Sequence, residues 1–370
     1  MLKRGSIIYL ILAVGLTGAV YLVFLMTPEP PSEAMEKARK VIAEARRLGA
    51  EKYAPEVFVL SEQAYDEAVR LLEQENKRFI LARNYDAAGF HCKQAVSLAE
   101  QAKTRSMANS RSLEVSVKAR IEELQGLTER YSQWMNAIPV KESTRKAFLN
   151  GKMWLSEASI DLEKKRYKES DEKVKKATQQ LNASIAELNG FLDGYFHNYP
   201  DWITWYQESL EKSRKTGGTL IVVDKMARSC VLYKNGKAKK SYPIELGRNW
   251  IGDKRFGGDK STPEGRYHVV KKMENGNTKY YKALLINYPN EDDKQRFSSA
   301  KRGGVIPPDA RIGGLIEIHG HGGKGADWTD GCIALADEDM KDLFSHATVT
   351  TPVTIVGSLV PWKKLLNEQQ

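Results

Sequence analysis

From Glu33 to about Leu192 the chain holds two prolines, Pro55 and Pro139, in a stretch dominated by Ala, Glu, Lys, Leu and Gln. Proline removes a backbone donor and breaks a helix interior. A stretch this long that nearly lacks it, and is rich in good helix formers, is confined to long helices joined by short turns. Apolar residues recur at helical spacing, with Leu60, Ala64, Ala68, Leu71 and Leu72 in one stripe and Ala95, Leu98, Ala99 and Ala102 in another. ARNYDAAGFHCKQAVSLAEQA is echoed by KKRYKESDEKVKKATQQLNAS, each with a basic-x-Tyr turn between two helical patterns. That echo predicts two related helical hairpins. Charge runs such as EKKRYKESDEKVKK read as solvated helix faces, with docking of a protein partner as the second reading.

Ahead of this region, Lys3 and Arg4 precede an uncharged run from Gly5 to Thr27. About 20 apolar residues span a bilayer, so Ile7–Met26 is expected to cross one. Its exit is bulky, Phe24-Leu25-Met26, where a cleaved signal peptide would end in small residues. An uncleaved signal anchor is therefore expected, with a buried core helix as the alternative. The anchor would make this a single-pass inner-membrane protein with its remaining chain in the periplasm. The formal charge of +10 suits anionic surroundings, but no aromatic-interleaved basic stripe or nucleic-acid motif is present. No nucleic-acid partner is expected.

The helical composition ends in FLDGYFHNYPDWITWYQESLEKSRKTGG, dense in aromatics: Tyr195, Phe196, Tyr199, Trp202, Trp205 and Tyr206. These rings serve either to pack one domain on the next or as a sugar-stacking platform. Thr216-Gly217-Gly218 punctuates the change. Beyond it TLIVVD and SCVLYK are β-rich, Asn235-Gly236 is a two-residue hairpin signal, and YYKALLINYP, LIEIHG and VTIVG add further strands. ALADEDMKDLFSHA reads as a short helix with Asp337 and Glu338 as its starting acids. The expected organisation is multidomain, α plus mainly β. It comprises a basic tip, transmembrane helix and proline-rich linker (1–31), an all-α hairpin region (32–216), a mainly β domain (217–360) and a tail (361–370).

Three cysteines, Cys92, Cys230 and Cys332, lie far apart without metal-ligand spacing or the pairing of a disulfide framework. Cys92 on a helix and Cys230 on a strand read as buried small hydrophobes. Cys332 differs. It sits in IHGHGGKGADWTDGCIAL, residues 318–335, with His319 at a strand end and Gly331 immediately before it. A thiolate attacking a carbonyl needs an exposed turn, an imidazole to take its proton and backbone N–H groups for the oxyanion. Two other readings stay open on the residues alone. His319, His321, Asp330 and Cys332 are all zinc-compatible donors, and the stretch could simply be a turn with a buried cysteine.

Four ordered pieces over Thr219–Gly357 resemble the L,D-transpeptidase catalytic domain of the YkuD type. They are IVVDKMARSCVLYKNGKAKKSYPIELGRN, GDKSTPEGRYHV, YYKALLINYPNEDD and IHGHG followed by TDGCIAL. The resemblance implies acyl transfer on peptidoglycan stem peptides without metal or nucleotide cofactor. Cys332 would be the nucleophile, His319 the base and acid, and Gly331 with Cys332 the oxyanion donors. Gly320, His321, Thr329 and Asp330 would support the site and bind substrate. Two positions depart from the pattern: Asp330 where the family usually has His, and Ala334 where Arg is common. They touch the choice of acceptor, which the resemblance leaves among a stem amine, the lysine of a wall-linked lipoprotein, a free D-amino acid and water. Asp330 is expected either to hold the protonated His319 or to receive an acceptor's ammonium. A cysteine hydrolase of the same fold, or a peptidoglycan-binding scaffold that turns nothing over, are the alternatives.

Overall fold

Alanine at most inward positions lets helices approach closely, and the first helices are built that way. The computed structural model describes residues 4–367. The chain divides into two compact units, residues 1–123 with 156–175, and residues 124–155 with 176–370. In the first, helices Ser32–Arg47 and Pro55–Asn76 and the start of helix Asp86–Ala137 share a core of Ala38, Ile42, Ala45, Ala50, Val57, Phe58, Ala64, Ala95, Ala99 and Ala102. Its ends are tied by side chains to otherwise unpaired carbonyls: Ser106 Oγ donates to Leu48 O at 2.8 Å and Asn109 Nδ2 to Tyr53 O at 2.8 Å. Both basic-x-Tyr triplets fall at helix junctions, 83–85 just before the helix from Asp86 and 165–167 running into the helix that starts at Tyr167. At the second, Lys165 takes a positive φ of 57°, and buried Asp161 collects Arg166 and Lys173.

The transmembrane expectation, and with it the single-pass inner-membrane and periplasmic placement, is corrected by the structure. Among the described residues no helix is long and apolar enough to cross a membrane. Arg4–Met26 is helical. Part of the expected span, Ile7–Leu10 and Ala19, lies outside the described side chains. The fold is a helical region followed by a curled β-sheet domain.

In the second unit one sheet has eight strands: β1 Thr219–Asp224, β2 Ser229–Lys234, β3 Lys237–Pro243, β4 Gly265–Glu274, β5 Lys282–Ile286, β6 Glu317–His319, β7 Ile333–Ala334 and β8 Pro352–Val356. Their order is β3-β2-β1-β8-β4-β5-β6-β7. The β2–β3 hairpin turns on Asn235 and Gly236, both at positive φ (52° and 65°), the conformation of a twist-matched two-residue turn. Helix Tyr199–Thr216 lays Tyr206 and Leu210 on Leu220, Val222 and Tyr233 of the sheet.

The aromatic run before that helix is used for packing rather than displayed to solvent. Trp202, Tyr195 and Phe196 are buried. A Cβ at Gly357 would lie 2.3 Å from Trp202 Cη2, so only glycine admits the indole there. Tyr195 OH and Trp202 Nε1 both donate to the Glu264 carboxylate, at 2.8 and 3.1 Å. Lys225 Nζ, fully buried, meets the same carboxylate at 2.7 Å and the carbonyls of Gly252 and Thr262 at 2.6 and 2.8 Å. The buried ammonium thus has three acceptors and each oxygen of the buried carboxylate at least one donor.

Candidate active site

Two short parallel strands at the sheet edge carry the site. β6 pairs with β7 in the register Ile318↔Ile333 and His319↔Ala334. Cys332, one residue before β7, therefore falls beside Glu317, two residues ahead of His319 on the neighbouring strand. The intervening glycine-rich excursion returns the chain for this pairing. Glu245 anchors it by accepting from Gly325 N–H and Trp328 Nε1, both at 2.6 Å. Asp327 accepts from Leu246 N–H at 2.8 Å and from Arg228 at 2.8 Å.

Three glycines are required by close approach. A Cβ at Gly331, where φ is +129°, would sit 2.6 Å from Ser261 O, and one at Gly320 would sit 2.5 Å from Asp337 Oδ1. A third at Gly322 would lie 2.8 Å from the Leu335 backbone. Thr329, buried, donates its hydroxyl to Cys332 O at 2.7 Å and accepts from Gly331 N–H at 3.2 Å. Thr329 thus shapes the turn on which the cysteine stands. Gly331 N–H, expected as an oxyanion donor, is directed to that hydroxyl. No acceptor takes the Cys332 N–H among the described residues.

His319 is completely buried. Its Nδ1 lies 2.6 Å from Gly320 O. A carbonyl can only accept, so Nδ1 carries the proton and Nε2 the lone pair. Nε2 is buried without a hydrogen-bond partner. Tyr280 stacks on the imidazole at 3.5 Å between centroids and 7° between planes, and Trp328 meets it edge-on at 5.9 Å. Burial pushes the imidazole down to about 4, and the charges of Lys279, His321 and Lys324 act in the same direction against the Gly320 carbonyl.

Cys332 is half-buried, with Sγ 3.7 Å from Leu315 O. Burial raises its thiol above the ordinary value, and the Glu317 carboxylate adds to this. A hydrogen bond from the Glu317 backbone to sulfur and the fields of Lys279 and Lys254 oppose it. With the acid raised and the base lowered, both the thiol and the imidazole rest neutral. Cys92 and Cys230 are wholly buried, and burial drives the Cys230 thiol up to about 12.

His321 is exposed at φ 65°, its backbone N–H on Asp337 Oδ1 at 2.6 Å and its ring edge-on to Tyr280 at 6.1 Å between centroids. Asp330 is exposed and makes no hydrogen bond or ion pair among the described residues. The imidazole contact expected of it is made by Gly320 O. No three His, Cys, Asp or Glu side chains among the described residues converge on a metal position. The sequence reading missed Tyr280, Trp328, Lys279, Glu317 and Glu245. Trp328, a large aromatic in a run of glycines, was the one signal available for them.

Among known families, residues 218–355 match the L,D-transpeptidase catalytic domain, YkuD. No curated protein gives a significant match to the chain. Similar solved structures include Bd1075 of Bdellovibrio bacteriovorus, at 20% identity and TM-score 0.30, covering 42% of this chain and 55% of that one. L,D-transpeptidase 1 of Mycobacterium tuberculosis matches at 19% and 0.23, over 38% and 62%. An L,D-transpeptidase of Stackebrandtia nassauensis matches at 14% and 0.27, over 38% and 56%. The chain thus spans between about half and three fifths of these proteins.

Proposed function

We infer, from a chain that carries an L,D-transpeptidase catalytic domain over residues 218–355, that it transfers acyl groups on peptidoglycan stem peptides through a thioester at Cys332. The observation that supports this most is the buried His319, its tautomer set by Gly320 O so that an unpartnered Nε2 lone pair is available on the strand next to Cys332.

In this reading Nε2 removes the thiol proton as sulfur attacks the carbonyl of the stem's third, diamino-acid residue. The negative charge that develops on the carbonyl oxygen is met by the Cys332 N–H. The carbon–nitrogen bond to the terminal D-alanine then breaks, and the imidazolium returns its proton to the leaving amine. An acceptor amine, deprotonated by the same nitrogen, attacks the thioester and releases the thiol. The stacked Tyr280 face supports the transient imidazolium, since an aromatic ring attracts a cation over its face.

The test is incubation of the protein with defined muropeptides, sorting products by mass. Cross-linked dimers identify a stem acceptor, exchanged D-amino acids identify a free one, and simple shortening identifies water. Wild type giving any of these and Cys332→Ser giving none supports the reading; unchanged products from Cys332→Ser refute it.

A further inference from the structure

We propose that Lys279 and Lys324 form a carboxylate-recognition pair flanking His319, which receives the terminal carboxylate of the donor stem peptide; the proposal rests on the transpeptidase reading above. Each ammonium is seated on a ring that itself touches the imidazole. Lys324 Nζ lies 3.3 Å from the centroid of Trp328, and Lys279 Nζ 5.0 Å from that of Tyr280. Trp328 and Tyr280 are the two rings packed against His319. The pair is thus placed about one aromatic ring from the imidazole, on two sides of it.

Their charges are also unspent. Four other lysines of this domain are ion-paired, Lys225 with Glu264, Lys240 with Asp342, Lys254 with Asp259 and Lys282 with Glu274, and Lys272 and Lys301 sit on backbone carbonyls. Among the described residues neither Lys279 nor Lys324 has a carboxylate within ion-pair distance. Lys279 engages the Tyr280 hydroxyl, and Glu317 is the acid whose field reaches it without forming a bridge. Both lysines are exposed, so a ligand can reach them. A ring beneath an ammonium holds it in place and covers one side, leaving N–H groups for an incoming anion.

The chemistry supplies that anion where it is needed. With the scissile carbonyl at Cys332, the leaving D-amino acid projects its carboxylate one residue further on, within the zone the two lysines bracket. A donor lengthened by one residue, or capped as an amide, would lose that charge at that position. The pair accordingly selects donor length and a free C-terminus.

The test compares a disaccharide-tetrapeptide donor with its C-terminal amide by release of the last residue. The proteins are wild type, Lys279→Ala, Lys324→Ala, the double alanine variant and the double arginine variant. A charge-assisted hydrogen bond is worth roughly 1.5–3 kcal/mol, so wild type should favour the free carboxylate by about tenfold to a hundredfold in kcat/KM. The double alanine variant should lose most of that preference through the carboxylate donor alone, and the arginine variant should keep it. Alkylation of Cys332 by neutral iodoacetamide reports the thiol separately and should change by less than about threefold. Wild-type turnover whose preference survives the double alanine variant, or an equal fall for both donors, overturns the pair while leaving the transpeptidase reading intact. A wild type that processes neither donor removes that reading, and the pair with it.

Discussion

The sheet domain holds two buried polar clusters of opposite design. Around Glu264, Lys225, Tyr195 and Trp202 place donors on a single carboxylate. Around His319, burial is as complete, yet Nε2 is left without a partner and the neighbouring thiol stays neutral. Leaving a buried polar atom unpaired costs stability, on the order of 1–3 kcal/mol. The first cluster is where the helical segment is fastened to the sheet. The second is where the proposed reaction would move a proton.

Substitutions that exchange the fates of the two clusters test this contrast. The largest effect is expected at the reactive pair: His319→Ala should lower Cys332 acylation by a carbapenem about 10²–10⁴-fold with the fold retained, because general-base assistance is worth that much. His321→Ala should retain much of the acylation, as its ring is exposed. At the other cluster the loss should appear in stability. Lys225→Met strands a buried carboxylate and should cost about 3–5 kcal/mol in denaturant unfolding, much of it recovered by Lys225→Met with Glu264→Gln. Gly331→Ala comes next, expected to cost about 1–3 kcal/mol and to displace the cysteine turn, since φ +129° and Ser261 O oppose a Cβ.

The pH profile sharpens the same point. A base accepts a proton only above its pKa, and burial holds His319 at about 4. The acid limb of kcat/KM should therefore fall through about pH 4, where an ordinary histidine would already have lost its activity near 6.5. A limb near 6.5 would mean that the imidazole is not buried as described. The smallest effect is expected for Asp330→Asn, within about twofold in acylation, because its exposed carboxylate touches neither ring nor sulfur.

What the chain discloses before folding depends on how local the physics is. The long helices follow from Ala95, Ala99 and Ala102 at helical spacing and from the scarcity of proline, and Asn235-Gly236 requires its hairpin. β4 is less legible, because the alternation of GRYHV is interrupted at Val270-Lys271-Lys272 and the strand ends in charge. The apolar N-terminal run looked like a bilayer span by composition, yet no described helix qualifies. At the site, Cys332 and His319 announced themselves through glycines around reactive side chains. Tyr280 did not, since its stacking arises from a loop 39 residues before the histidine. No short-range pattern encodes that contact. Nor could spacing show that Nδ1 would choose Gly320 O.

The most direct measurement of the central claim is the intact mass of the protein during turnover of a disaccharide-tetrapeptide, with the adduct located by fragmentation. The account predicts a thioester-linked acyl group on Cys332, formed with loss of the terminal D-alanine, reduced in His319→Ala and absent from Cys332→Ser. Donor processing with no adduct at Cys332, or with an adduct that persists in Cys332→Ser, would contradict it.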